Sequence, residues 1–313
     1  MSFQLLDRVR SQITIAIEQA VLETVAYSDV FDYPVRAEEI HRYLPLRVSL
    51  DELRHALDSG MTALGHENGY YFLKGRDSLV ATRSIREAIS RPAWKRAQLF
   101  GRILGGLPFV RMVALTGSLA LLNSEESGDM DYMLVAAPGR VWTARGFAVL
   151  FGRLTARVGS VLCPNLIVSE NALAWGQRDL YSARELCQMV PITGASLYTR
   201  LRRINDWTED LLPNGWGPPA LARPISERRR VLQITEEWAL RGSLGARIET
   251  WEMRRKISRL SRQAGRGVET RFDAEVCQGN FQHHGAQTRQ AVRERLAQLG
   301  IDSPLSMFTS DSK

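Results

Sequence analysis

The chain has 313 residues and a mass of 35.3 kDa, too long for one ordinary core and suited to two or three units of about 100 to 200 residues each. Hydrophobic residues at 44% and charged residues at 24% are ordinary for a folded globular chain, which excludes collagen-like, disordered and disulfide-scaffold classes. The net charge of +7 is uneven, with 24 basic and 23 acidic residues in 1–220 but 17 and 11 in 221–313. That C-terminal surplus is mostly arginine and reads first as solvated helix faces, with a phosphate-attracting surface as the alternative.

Phe3 to Ala26 carries Leu5, Ile13, Ile15, Ile17, Val21 and Val25 at helical spacing, and Asp29-Val-Phe-Asp-Tyr-Pro34 closes that helix with a turn. A short helix follows over Ala37 to Leu44. Ser49-Leu-Asp-Glu52 is a capping box, so a third helix is expected from Leu50 to Ser59. Met61 to Leu64, then Glu67-Asn-Gly69, then Tyr70-Tyr-Phe-Leu73 reads as a hairpin, because Asn-Gly is the strongest short turn signal. Three helices and a hairpin resemble a winged-helix module, a shape that often reads DNA through its third helix. Here that helix carries Asp51, Glu52 and Asp58 against Arg54 and His55. An acidic face is poorly suited to phosphate, so a packing or substrate-gating role is expected ahead of DNA binding.

Ser84 to Leu107 reads as a linking helix with a break near Pro92, and Gly105-Gly-Leu-Pro108 ends it. Phe109 to Leu115, Asp131 to Ala136 and Asn165 to Ser169 are short apolar runs of strand type, with a helix over Val141 to Val158 between the last two. After Asp179 the pattern is helical almost to the end: Leu180 to Met189, Ser196 to Leu211, Ser226 to Gln263 and Gln287 to Leu299, with a Pro/Gly linker over Pro213 to Pro224 and a frayed 303–313 tail. The expected architecture is α+β. A winged-helix-like module (1–83) precedes a small mixed sheet domain (84–178) and a helical C-terminal region (179–313).

Three separated cysteines, Cys163, Cys187 and Cys277, form no CxxC pair and fit a reducing cytoplasm. The N-terminus lacks a secretory pattern, and the most apolar stretch, Val141 to Val158, contains Arg145, Arg153 and Arg157, so no membrane span is expected.

The chemistry concentrates in Leu115-Thr-Gly117-Ser118, a ten-residue spacer and Asp129-Met-Asp131-Tyr. Side chains alternate along a strand, so Asp129 and Asp131 share one face and Met130 and Tyr132 the other. Two adjacent carboxylates call for a hard divalent cation. A Gly-Ser turn leading into a short helix offers backbone amides to phosphate. A strand ending in Gly-Ser, that spacer and an Asp-x-Asp opening the next strand resembles the nucleotidyltransferases of the DNA polymerase β superfamily, over Phe109 to Glu170. Phe31-Asp-Tyr-Pro34, Asp179-Leu-Tyr-Ser-Ala-Arg-Glu185 and the Cys277-Gln-Gly-Asn-Phe-Gln-His-His-Gly285 stretch more loosely resemble bacterial proteins that carry such a domain after a winged-helix-like region.

The resemblance implies transfer of a nucleoside monophosphate from a nucleoside triphosphate to an acceptor, with release of pyrophosphate. Gly117 and Ser118 would hold the triphosphate, and Asp129 and Asp131 would hold Mg2+ or Mn2+. Members commonly have a third carboxylate on a later strand. Glu170 is the first choice for it, with Asp179, or no third acid, as the alternatives. The acceptor, whether small molecule, RNA or protein, is not named by the sequence. A catalytically silent, nucleotide-sensing or nucleic-acid-binding protein is the rival reading.

Other residues receive structural readings. Glu125 and Glu126 belong to a solvated loop, Cys163 is a small buried residue, and Trp207 and Trp216 fill core or linker contacts. Arg184, Glu185, Arg200, Arg202 and Arg203 read first as solvated helix faces, with contact to the triphosphate as the alternative, and His283 and His284, near Asp273 and Glu275, as a structural loop, with metal or phosphate binding as the alternative. No Walker A, GxGxxG, HExxH or GxSxG element occurs.

Overall fold

The computed structural model describes residues 2–126, 128–223, 231–260, 262, 270–279 and 284–301. His283, the ends of the expected 226–263 helix and the 303–313 tail lie outside them.

Ile17, Val21 and Val25 repeat at helical spacing and bury one face of α1 (Ser2–Asp29), whereas Ile13 and Ile15 are exposed. That face packs on α2 (Ala37–Tyr43) and α3 (Leu50–Asp58) through Ile40, Leu44, Leu53 and Leu57. The expected capping box forms: Ser49 Oγ accepts from Glu52 N at 3.2 Å, and the Glu52 carboxylate accepts from Ser49 N at 2.7 Å. β1 (Leu64–Glu67) and β2 (Tyr70–Leu73) pair antiparallel around Asn68 and Gly69, which take φ values of 51° and 79°. Positive φ at both turn residues is what a two-residue hairpin requires.

α4 (Ser78–Leu104) starts earlier than expected and runs through Pro92. The proline removes one helical hydrogen bond, at a cost of about 3 kcal/mol. Both halves are nevertheless pinned by packing, Arg83 against the N-terminal helices and Trp94, Ala97 and Leu104 against the sheet.

Then follow β3 (Val110–Leu115), the single turn α5 (Gly117–Ala120), β4 (Met130–Ala136), α6 (Val141–Ala156) and β5 (Leu162–Ser169). α7 (Leu180–Gln188), β6 (Val190–Thr193), α8 (Ala195–Ile204), α9 (Thr208–Leu211), α10 (Val231–Ala239) and α11 (Ser243–Leu260) continue the chain. β7 (Thr270–Phe272), β8 (Val276–Gly279) and α12 (His284–Gln298) complete it. The strands join in the order β6-β3-β4-β5-β8-β7, with β4 and β5 parallel and the other pairs antiparallel.

The C-terminal region is therefore not wholly helical: β6, β7 and β8 extend the sheet at both edges. These strands have three or four residues each, too few to carry a periodic signal. Pro191 is tolerated in β6 because that strand pairs only with β3, on one side.

Both faces of the central strands are covered, which is why β3 and β4 read as unbroken apolar runs. Val113, Leu115, Tyr132 and Leu134 face α4 and α6, while Met112, Ala114, Met133 and Val135 face α1, α7, α8 and α12.

Distant polar groups lock this arrangement. Glu249 of α11 accepts from the Trp142 and Thr143 amides at 2.9 and 2.7 Å and so caps α6, whose own N-cap residue Arg140 supplies no side-chain bond. Glu237 of α10, 1% exposed, accepts from Phe109 N at 2.9 Å and from both terminal nitrogens of Arg111 at 2.6 and 2.9 Å. Glu237→Ala strands that amide and most of the guanidinium, so urea unfolding should register a loss of about 3 kcal/mol. A change below 0.5 kcal/mol, within the range of ordinary surface substitutions, would sink this account of the lock.

Candidate active site

The β3–β4 ladder brings the Gly117 turn against Asp131. Thr116 N donates to the Asp131 carbonyl at 2.9 Å, and Gly117 follows with φ +67°. A Cβ on Gly117 would lie 2.5 Å from Asp131 Oδ2. Only glycine allows both this φ and this approach. Gly117→Ala should therefore push the Asp131 carboxylate aside and lower stability by at least about 1 kcal/mol. An unchanged unfolding midpoint and an unmoved carboxylate in a crystal structure of the variant would count against it.

Asp131 lies on the sheet face that α1, α7, α8 and α12 cover, with Asp129 just before the strand. In the parallel β4–β5 pair, Cys163 sits opposite Asp131. Ligand atoms of Asp129, Asp131 and Cys163 all lie within 4.8 Å of one another. The Cys163 thiol lies close to both carboxylates. It is thus half-buried beside two acids, and its thiol is pushed up to about 12 by burial and then by the charges of Asp131 and Asp129. The register slips between Tyr132 and Met133, leaving Asn165 unmatched on β5, and this irregularity turns Asn165 toward the same space.

That space is a cavity of about 560 Å³, a size that suits a small molecule. Gly117, Ser118, Asp129 and Asp131 form its floor. α7 contributes Tyr181, Arg184, Glu185 and Gln188, and α12 contributes His284 and Thr288. The opposite wall comes from α1 and α2 through Tyr27 and Tyr43 and from the turn between them through Phe31 and Tyr33. Tethers hold this wall: Tyr33 Oη donates to the Glu39 carboxylate at 2.6 Å and lies 3.1 Å from the Leu121 carbonyl, Asn123 Nδ2 donates to the Phe31 carbonyl at 3.1 Å, and buried Asp29 pairs with Arg76 and Arg295 at 3.1 and 2.8 Å. A second hollow of about 290 Å³ between α6 and α11 is lined mainly by apolar groups such as Phe147, Leu150 and Trp251, and lacks a carboxylate pair.

The acids of the cavity hold protons unusually well. Burial, then the charge of Asp129, raises the Asp131 carboxyl to about 7. Glu185, half-buried on α7, is likewise raised to about 7 by burial and by Asp131. No cationic side chain pairs with Asp129, Asp131 or Glu185 among the described residues. Such a pocket has room and charge for a cation.

Gly117, Ser118, Asp129 and Asp131 are thus brought together, but Glu170 is not. It follows the far end of β5, where its amide donates to the Ala136 carbonyl at 3.0 Å and its carboxylate lies 3.5 Å from Arg111 Nε. Because Asp131 is opposite Cys163, Glu170 is seven residues away along the strand, roughly 20 Å. The expectation that Glu170 is the third acid fails on strand direction: β5 runs parallel to β4, so its C-terminal end points away from the Asp pair. Asp179 is also committed elsewhere. It caps α7 by accepting from Ser182 N at 2.8 Å and pairs with Arg289.

Glu185, rather than Glu170, lines the cavity with Asp131, and its sequence signs were its place in a capped helix and in the Asp179–Glu185 stretch. The solvated-face reading fails for Arg184 and Arg202, which are 5% and 1% exposed. Arg202 donates to the Leu186 and Gly215 carbonyls at 2.8 and 3.1 Å, whereas Arg200 and Arg203 are exposed. Trp207 is buried and Trp216 partly exposed at 46%. Glu125 and Glu126 are exposed, with Glu125 paired to Arg86 at 3.0 Å. No family model, curated protein or solved structure matches the chain.

Proposed function

We propose that the protein is a divalent-metal-dependent nucleotidyltransferase of the DNA polymerase β type, with a winged-helix-like N-terminal module that walls the cavity. The observation that carries this reading is the Asp129–Asp131 pair at the start of β4, packed against a glycine turn inside a cavity of about 560 Å³. The donor set fits Mg2+ or Mn2+, since two carboxylates converge there without a protein cation to neutralise them. Bound there, the metal would neutralise the acids and polarise phosphoryl oxygens.

The protein's own groups then have distinct tasks. Asp129 and Asp131 are the residues that would hold the cation, and the Gly117-Ser118 turn allows close backbone approach to phosphate. Glu185 faces Asp131 across the cavity with a carboxyl raised to about 7. A carboxylate in that place is positioned to take a proton from an acceptor hydroxyl. α3 supports a gating module over a DNA reader: Leu53, Ala56 and Leu57 are buried, Asp51, Glu52 and Asp58 are exposed, and Arg54 is drawn to Glu38 at 2.7 Å.

Calorimetric titration of the four nucleoside triphosphates, with and without Mg2+, tests the reading on wild type and on the Asp129→Asn, Asp131→Asn double variant. Mg2+-dependent binding of at least one triphosphate, lost in the variant, is the expected result. Binding of none of the four retires the proposal in favour of a silent fold.

A further inference from the structure

Arg184 is a buried charge without a counter-ion among the described residues. It is 5% exposed, Nε has no hydrogen-bond partner, and the guanidinium makes no hydrogen bond or salt bridge with the described residues. What it touches is aromatic: its central carbon lies 4.2 Å from the ring centre of Tyr27 and 4.4 Å from that of Tyr43. Burial works against its charge, yet a guanidinium remains protonated.

The two other arginines under 9% exposed among the described residues are hydrogen-bonded, Arg202 through its terminal nitrogens although its Nε also lacks a partner. Arg83, 3% exposed, donates to Glu39, Glu87 and the Pro34 carbonyl at 2.9, 3.0 and 3.0 Å. Arg202 reaches two carbonyls, as described. A buried charge facing ring faces alone is costly unless something anionic completes it. Arg184 opens on the same cavity as the Asp pair, but on another side. Successive helical residues are about 100° apart, so α7 turns Glu185 toward Asp131 while Arg184 lies against α1 and α2.

We infer that Tyr27, Tyr43 and Arg184 form a subsite for the anionic group of the acceptor, a small molecule that carries a phosphate or carboxylate beside a planar or apolar body. Calling that ligand the acceptor rests on the proposed nucleotidyl transfer; the anion subsite itself does not. Arg184 supplies charge-assisted hydrogen bonds, and Phe31, Tyr33 and Tyr181 supply the surface for the body of the molecule. A phosphate could also arrive on the nucleotide tail. The glycine turn and the Asp pair already provide for that tail on the cavity floor, which leaves Arg184 to the second substrate.

The test uses the full chain without metal or nucleotide, in EDTA, with phenyl phosphate, benzoate and neutral phenol as calorimetric probes. Phenyl phosphate or benzoate should bind, and phenol at least about tenfold more weakly. Inorganic phosphate should compete in the wild type, a result that needs no variant. Arg184→Met should weaken anion binding by about 30-fold and Arg184→Lys by less than that, the circular dichroism spectrum being retained. The Asp129→Asn, Asp131→Asn double variant should not lose anion binding, because it removes negative charge from the same cavity and leaves Arg184 in place. Failure of both anions to bind wild type overturns the inference, as does equal binding by wild type and Arg184→Met. If no anion binds but Arg184→Met loses Mg2+-dependent triphosphate binding, the cation belongs to the nucleotide tail. Anion binding without any triphosphate binding would keep the subsite and remove the transferase reading.

Discussion

Asp131→Asn should reduce the proposed nucleotidyl transfer at least about 10³-fold, equivalent to roughly 4 kcal/mol of transition-state stabilisation. Asparagine keeps the shape of the side chain and removes its charge, so the Thr116 amide bond to the residue 131 carbonyl and the contact with Gly117 persist. What is lost is one of two carboxylates able to grip a divalent cation. The loss should appear in single-turnover release of pyrophosphate at saturating triphosphate, with an unfolding midpoint no lower than wild type at pH 8. The midpoint should hold because the substitution relieves a desolvated charge next to Asp129. Turnover within tenfold of wild type would remove Asp131 from the chemistry.

In the absence of metal, the stability of the protein should fall as pH rises from about 4.5 to 7. Folding raises the carboxyls of Asp131 and Glu185 from their ordinary 3.8 and 4.5 to about 7. Across that window the folded chain keeps protons that the unfolded chain has released, so ΔG of unfolding decreases with pH. At about 1.4 kcal/mol per pKa unit, each acid by itself corresponds to a loss on the order of 3 to 4 kcal/mol, and the pair to several kcal/mol read as one broad event because the two acids share a field. Glu23, also raised, adds to the same slope, whereas Glu38, Glu52, Glu87 and Asp273, all lowered, act at more acidic pH and with opposite sign. The clean measurement is the difference in urea-unfolding free energy between wild type and Asp131→Asn at pH 5 and pH 8. The variant should gain on wild type as pH rises, and millimolar Mg2+ should stabilise wild type alone at pH 8. A pH-independent difference would show that the Asp131 carboxyl is not desolvated in the folded chain.

The sequence by itself determined the elements whose causes are local. The capping box at Ser49 and Glu52, the Asn68-Gly69 hairpin and the apolar runs of β3 and β4 each depend on contacts a few residues apart, and each is where its motif places it. The same holds for the approach of Gly117 to Asp131, since a strand, a turn and an adjacent antiparallel strand leave little freedom between them. Tertiary structure alone decided the rest of the cavity. Parallel pairing of β4 with β5 set Cys163 against Asp131 and carried Glu170 to the opposite end, and no local pattern specifies that direction. The packing of α7 under the sheet put Glu185 on the cavity that Asp131 lines and buried Arg184 between tyrosines more than 140 residues away in sequence. β6, β7 and β8 are strands because the sheet offered free edges to segments too short to declare themselves. Contacts between distant segments depend on which faces meet, and that is settled only when the whole apolar surface is buried at once.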